Sequence, residues 1–522
     1  MSKVSKKKWL WIGSAAAAAI FAALLICGSV VTRRFEPFLR QQSILYLQKR
    51  FECNVRLASI RISLPSISPI RILFTGGRGM IAHVEGSGLF MQKPNAEAPL
   101  ITAQTFAFDV DAGSIFEKVR RVGVVELDGV SINIPPKAER AGTLRQSKDG
   151  GTFDIAEILA RNVTLAIIPA VSGKKPLIFV ISIVRLETAG QGSPMQYNAE
   201  LINPKPPGVI HSQGSFGPWS AEEPGATALR GVYTFERADL SAFPAIAGIL
   251  NSQGSFAGSL SAIVAKGSAT VPDFRLRTSG NPVPLSTQFE VQVDGTNGNT
   301  VLQPVRAVLG TTHLTTSGAV LRNNGDAVRT ISLNVTMPAG NLEDVMRLAV
   351  KGAPMMEGKL FMESTILLPP LSEKVSQKLI LDGDFKIDRG RFRNAGIQDK
   401  IDSLSRRGQG QPKNTEIDDV FSDMSGRFHL ENRTITFRSL SFDTPGAAVH
   451  LAGVYRLGDD SLDLRGSLSL DAKVSQMVTG WKRILLKPVD PFFAKNGAGT
   501  YLRIRIDGDA KSPHFGLDHF KP

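Results

Sequence analysis

From Val55 onward apolar and polar residues alternate with a period of two, the rhythm of a strand with one dry and one wet face. In 289–293, Phe289, Val291 and Val293 oppose Glu290 and Gln292. In 462–470, Leu462, Leu464, Leu468 and Leu470 oppose Asp463, Arg465, Ser467 and Ser469. In 502–507, Leu502, Ile504 and Ile506 oppose Arg503, Arg505 and Asp507. Similar runs predict strands over 101–110, 122–134, 163–168, 178–186, 228–235, 262–276, 285–293, 301–308, 312–320 and 331–337. Helices are predicted where a capping-type residue opens a short apolar run, at 154–160, 239–250 and 341–350, with further candidates at 397–405 and 472–481. SRRGQGQPKNT (405–415) reads as a mobile loop. The pattern is that of a mainly β, antiparallel protein with a few short helices. Open twisted sheets rarely exceed about ten strands without curling or splitting, so the dry face must roll into a trough, a sandwich or several modules. PKPPG (204–208) and PAGN (338–341) are the best seams.

Two N-terminal stretches break the rhythm. WLWIGSAAAAAIFAALLICGSVV (9–31) carries no charge and, as a helix, is long enough to cross a hydrocarbon layer of about 30 Å. Trp9 and Trp11 suit the interface, and Phe21, Leu24, Leu25 and Ile26 the interior. Lys3, Lys6, Lys7 and Lys8 outnumber Arg33 and Arg34, which places 1–8 in the cytoplasm and the body across the membrane. A cleaved signal peptide would have a shorter apolar run, about 7–15 residues, and lipoprotein processing at Cys27 would want a small residue where Ile26 stands. In 35–51, Phe38, Ile44, Leu45, Leu47 and Phe51 share a helical apolar side. That helix would lie on the membrane or cap the first strands, with capping favoured.

Composition narrows the chemistry. The 522 residues are 42% hydrophobic, enough to build a core or line a groove. Cys27 in the apolar helix and Cys53 beyond it cannot pair, so backbone pairing must hold the body without a disulfide framework. Net charge is +14, yet the basic residues are scattered, with no zinc-finger spacing, RNA-binding aromatic motif or basic helix. No nucleic-acid partner is expected. Behind a membrane anchor, anionic headgroups are the better specific partner, and a merely solvated surface fits equally. His83, His211, His313, His429, His450, His514 and His519 stand singly, outside any HExxH pair. There is no nucleophile elbow and no Walker loop. Asp382, Asp384 and Asp388 in LDGDFKIDRG lack the glycine and closing glutamate of a calcium loop, which leaves a hairpin end. No catalytic residue, metal site or cofactor is expected, and the chain reads as a non-enzyme.

The C-terminal third carries recognisable text: GDFKIDRGRFRNAGIQDKIDSLSRRGQG (383–410), MSGRFHLENRTITFRSLSF (424–442), GAAVHLAGVYRLGDDSLDLRGSLSL (446–470) and KPVDPFFAKNGAGTYLRIRIDGDAKSPHFGLD (487–518). It resembles the C-terminal region of AsmA-family proteins of Gram-negative envelopes. GILNSQGSFAGSLSAIVAKGSATVPDFRLRTSGNPVPLSTQFEVQVDGTNGNTVLQPV (248–305) is similar to the family's middle region, and the N-terminal arrangement is similar too. The resulting division is a cytoplasmic tail (1–8), a transmembrane anchor (9–31), a juxtamembrane helix (32–54), an N-terminal β region (55–205), a middle β region (206–340) and an AsmA-like C-terminal β domain (341–522).

The resemblance implies a single-pass inner-membrane protein with a periplasmic body, an elongated, curled antiparallel sheet with an open groove of the bridge-like lipid-transfer type. Such a protein binds phospholipid acyl chains in its groove and supports lipid transport toward the outer membrane. The candidates for lipid contact are Phe289, Val291, Val293, Leu464, Leu468, Leu470, Leu502, Ile504 and Ile506. The alternative is a non-enzymatic assembly factor or scaffold that affects outer-membrane protein targeting and insertion through an envelope or outer-membrane protein partner. A cryptic envelope hydrolase is a third reading, with no motif behind it.

Overall fold

The computed structural model describes residues 53–63, 81–94, 96, 98–111, 119–134, 152–168, 176–189, 194–218, 224–322, 329–370, 375–414, 416, 419–479, 482–494, 499–510 and 512–518, with scattered positions in 37–48. The anchor residues Trp9, Trp11, Phe21, Leu24, Leu25 and Ile26 lie outside them. Among the described residues no helix is long and apolar enough to cross a membrane. The protein is mainly β, with few short helices and an antiparallel sheet that is not closed on itself. The chain forms two compact units: Met1–Pro204 with Ile210–Leu229, and Lys205–Val209 with Arg230–Pro522.

In the first unit, β1 (Asn54–Arg56) and β2 (Ser59–Ser63) both pair with β3 (Ile81–Gln92), which continues antiparallel to β4 (Ile101–Asp111) and β5 (Val119–Ile134). β6 (Thr152–Ile167) then runs parallel to β5, from Val119↔Thr152 to Ile134↔Ile167, an exception to the antiparallel expectation. β7 (Leu177–Ala189) and β8 (Met195–Pro204) restore it. The helix expected at 154–160 is therefore part of β6. Seven residues of helix formers cannot sustain an isolated helix, whereas here both strand edges are bonded and Leu159 and Ala160 are buried. Ala103, Val130, Ala160 and Val163 form the core of this unit. The described positions within 37–48 are helical, and Ile44 and Leu47 pack on Cys53, Val55 and Met91, so this segment caps the first strands.

β9 (Pro207–Phe216) and β10 (Ala228–Asp239) each contain residues of both units. The second unit then adds β11 (Ile246–Ala247), β12 (Ile249–Ser259), β13 (Ala262–Val271), β14 (Arg275–Leu276), β15 (Leu285–Val293), β16 (Thr300–Leu309), β17 (Thr312–Leu321) and β18 (Thr330–Asn341). It continues through β19 (Met356–Leu368), β20 (Ile380–Phe392), β21 (Ser422–Glu431), β22 (Thr434–Thr444), β23 (Ala447–Arg456), β24 (Ser461–Leu470), β25 (Thr500–Asp509) and β26 (Ser512–Leu517). β11 and β14 make a two-stranded ladder of their own, and the other strands from β12 to β26 pair antiparallel, each with the next. Eight consecutive pairs, from β15–β16 to β22–β23, contain a register shift. Each such irregularity bends its strand and strengthens the local twist.

Every second connection returns to the same end of this ladder, and the longer helical connections lie there; the short helix Val375–Lys378, between β19 and β20, lies at the other end. Helix α1 (Leu342–Ala349) joins β18 to β19, α2 (Ala395–Gly408) joins β20 to β21, and α3 (Lys482–Leu486) and α4 (Asp490–Phe493) lie between β24 and β25. Asn341 caps α1 by accepting from Glu343 N, and Asn394 caps α2 by accepting from Ile397 N. Three expectations need correction at this end. At 239–250 only Leu240–Ala242 is helical, as a 3-10 turn capped by Asp239; Pro244 removes a donor, and β11 and β12 take the rest. At 472–481 the described helical part is the 3-10 turn Val474–Gln476. The 405–415 stretch is not a free loop, because Ser405 to Gly408 close α2 and the Ser405 hydroxyl donates to Pro445 O. Beyond it, Gln411 and Asn414 bond to each other; Thr415 lies outside the described residues.

Candidate functional site

Directly paired residues of a sheet share a face, so register extends the alternation of single strands to the whole ladder. One row runs Phe256, Ala265, Val291, Leu302, Gly318, Leu333 and Ile366 from β12 to β19. It continues through Leu381, Leu430, Ile435, Tyr455, Leu462, Gly508 and Pro513 to β26. No member is charged. A row on the opposite face runs Ser317, Asn334, Thr365, Asp382, His429, Thr436, Val454, Asp463, Asp507 and His514. The second unit thus has one apolar and one polar face across its ladder.

Burial along the apolar face is graded. Toward the helical end, Met337, Met356, Leu360 and Ile387 form a closed core with Leu342 of α1. Val449, Leu451 and Leu464 form another, flanked by Phe437, Leu440, Phe442, Leu468, Ile504 and Ile506. The apolar row itself is half-buried, with Leu430 its one buried member. Phenylalanines lie flat over glycines of the neighbouring strand: a Cβ on Gly383 would stand 2.9 Å from the Phe428 ring, and one on Gly426 3.0 Å from Phe385. Glycine is needed there because a Cβ would meet the ring and, at 2.8 Å, a backbone oxygen, Glu363 O or Ser439 O.

The nine lipid-contact candidates all lie on this face. Leu464, Leu468, Leu470, Leu502, Ile504 and Ile506 are brought together on β24 and β25, with Leu464↔Ile506 and Leu468↔Leu502 directly paired. Phe289, Val291 and Val293 sit on β15, not beside them, and reach Leu462 only through the row from Val291. Two candidates are closed core: Leu464 is 6% exposed, and Leu470, under the last turn of α2, is 1% exposed. The other seven are half-buried. Sequence reasoning missed Leu302, Leu333, Ile366, Leu381 and Ile435. Leu302, Ile366 and Leu381 have apolar neighbours in sequence that blur the alternation, and only cross-strand register assigns all five to one face.

The polar face carries the titratable groups. Asp382, Asp384 and Asp388 lie along β20 rather than at a hairpin end, because the strand runs through to Phe392. Asp382 accepts from His429 Nδ1 at 2.7 Å, Asp384 from Arg427 Nε at 2.7 Å, and Asp388 is 2.8 Å from Lys386 Nζ. His429 Nε2 also faces Glu431 at 3.5 Å. His83 repeats this arrangement on β3, with Asp109 on the neighbouring strand at 2.7 Å and Glu85 two residues along at 3.1 Å. The hydrogen bond to Asp382 raises the His429 pKa above the ordinary histidine value, and the bond to Asp109 does the same for His83. Ser441 and His450 approach to 3.1 Å, but the serine hydroxyl donates to Asp443 at 2.9 Å, so its proton is not directed at the imidazole. Among the described residues no group of three His, Cys, Asp or Glu is placed to hold a metal ion. No family model, curated protein or solved structure matches the chain.

Proposed function

We propose that this protein is an inner-membrane-anchored envelope protein that lays phospholipid acyl chains along the apolar face of its second unit and supports lipid movement toward the outer membrane. The observation that carries the reading is the uncharged, half-buried row from Phe256 to Pro513. A wholly closed sandwich core would bury that row; an open sheet leaves it room for a chain. Each methylene removed from water contributes about 0.8 kcal/mol, so a partly seated acyl chain already binds. Headgroups stay in water at the margin. Bulges and flat Phe–Gly contacts favour a curled surface of this kind.

The test is photo-crosslinking of the full chain, purified from membranes, with a benzophenone amino acid at Ile366 or Leu381. Phospholipid adducts are expected at both positions and not at Thr365 or Asp382 on the polar face. Leu381→Asp should remove adducts at Ile366 while the β spectrum persists. Absence of lipid adducts from both apolar positions would overturn the proposal and favour the assembly-factor reading.

A further inference from the structure

The connection between β24 and β25 is pinned at its base and apolar at its tip. Asp490 accepts from Ser475 N at 2.8 Å and from Ser475 Oγ at 2.7 Å, and Thr500 Oγ1 donates to Ala472 O at 2.7 Å. The first two bonds tie the two halves of the connection to each other and the third ties its start to β25, none of them through α3. On α3, Ile484 is 71% and Leu485 60% exposed, although neither lies in a strand face where lipid is proposed to sit. Isolated exposed leucines need no explanation, but adjacent ones on a segment held in place do.

The charge around the pair identifies what covers it. Residues 473–494 contain Lys473, Lys482, Arg483 and Lys487 against the single acid Asp490, a formal charge of +4 − 1 = +3. Lys482 and Lys487 are exposed on either side of the apolar pair. The one carboxylate accepts from Ser475 and feels the charges of Lys473 and Lys487, which leaves the segment net cationic. Apolar side chains flanked by cations fit a surface that is anionic outside and hydrocarbon beneath, where the ammonium groups stay at headgroup level. A protein groove would also have to match the backbone of α3; a bilayer demands only depth and charge.

We propose that 482–487 is a membrane-docking wedge, in which Ile484 and Leu485 insert into an anionic phospholipid bilayer while Lys482 and Lys487 engage its headgroups. The docking is independent of lipid being carried on the apolar face. It gives the second unit a bilayer contact of its own, separate from the N-terminal anchor.

The test places an environment-sensitive fluorophore at Ile484→Cys in a full chain lacking Cys27 and Cys53, held in a nanodisc. Nitroxide-labelled lipid is put either in the nanodisc or in added vesicles of phosphatidylethanolamine with phosphatidylglycerol. Blue-shifted emission and quenching from either bilayer are expected. Leu485→Asp should weaken the association roughly ten-fold or more, since it removes one inserted side chain. Lys482→Glu with Lys487→Glu should abolish the preference over phosphatidylcholine, and added salt should weaken binding to the anionic bilayer. No quenching from either bilayer, quenching as strong with phosphatidylcholine alone, or a response unchanged by Leu485→Asp would overturn the proposal. So would a fluorescence change that follows protein concentration without lipid, which would mean self-association. Benzophenone adducts at Ile366, measured on the same preparations, report the apolar face separately.

Discussion

Side chains on one face of this ladder do different work according to their depth. Leu464 is buried in one cluster with Val449 and Leu451, whereas Leu381, four strands earlier on the same face, is half-buried. Leu464→Ala is therefore expected to cost about 2–5 kcal/mol in chemical denaturation, the range for a core leucine. The alternation of 462–470 identified Leu464 as inward-facing, but alternation reports a face and not a depth. Depth depends on what connection closes over the strand end, here the helical segment after Leu470. Histidine behaves likewise. His83 and His429 read as isolated strand residues, and only register sets Asp109 and Asp382 opposite them. Because their folded pKa values lie above the unfolded value, the stability they contribute is fully present below about pH 6.5 and is lost as pH rises through the raised value. Histidine NMR titration should place both above a free imidazole, and Asp109→Asn and Asp382→Asn should each lower the partner's midpoint.

At the level of elements, the helices that hold are those whose polar groups are satisfied by the strands beside them. Asp344 in α1 is 8% exposed, and one of its oxygens accepts from Thr311 N, Thr311 Oγ1 and Thr312 Oγ1. In α2, Asp402 accepts from Gln398 Nε2, Asp419 N and Val420 N. The first was legible from its asparagine cap; the second was a candidate over 397–405, and its cap at Asn394 emerges only in the structure. The failed helix at 154–160 had comparable residues but no such clasp, and strand pairing on both sides took it. Asp344→Ala removes the acceptor of the Thr311 amide and hydroxyl, while the Thr312 hydroxyl keeps Asn341, and should cost about 2–3 kcal/mol. Hydrogen exchange should show the loss as faster opening of 342–349 and the β16–β17 turn, with β24 and β25 unaffected.

For the molecule as a whole, the β class and most strand positions followed from period-two alternation, which the strands of both units carry in plain form. The parallel β5–β6 pair did not, because pairing direction leaves no mark on the alternation of a single strand. Nor did the graded burial of the apolar face, which is a property of many registers in sequence. The neighbour-to-neighbour order from β15 to β26 has a consequence for how the second unit is made. Each strand finds its partner in the one delivered just before it, so no pairing in that stretch waits on chain that has not yet arrived. A polypeptide synthesised from its N-terminus can zip this ladder in the order of its delivery, and the loop to be closed at each step is short. Assembly in that direction leaves only the newest strand edge unpaired at any moment, which confines the opportunity for misassociation to one travelling edge.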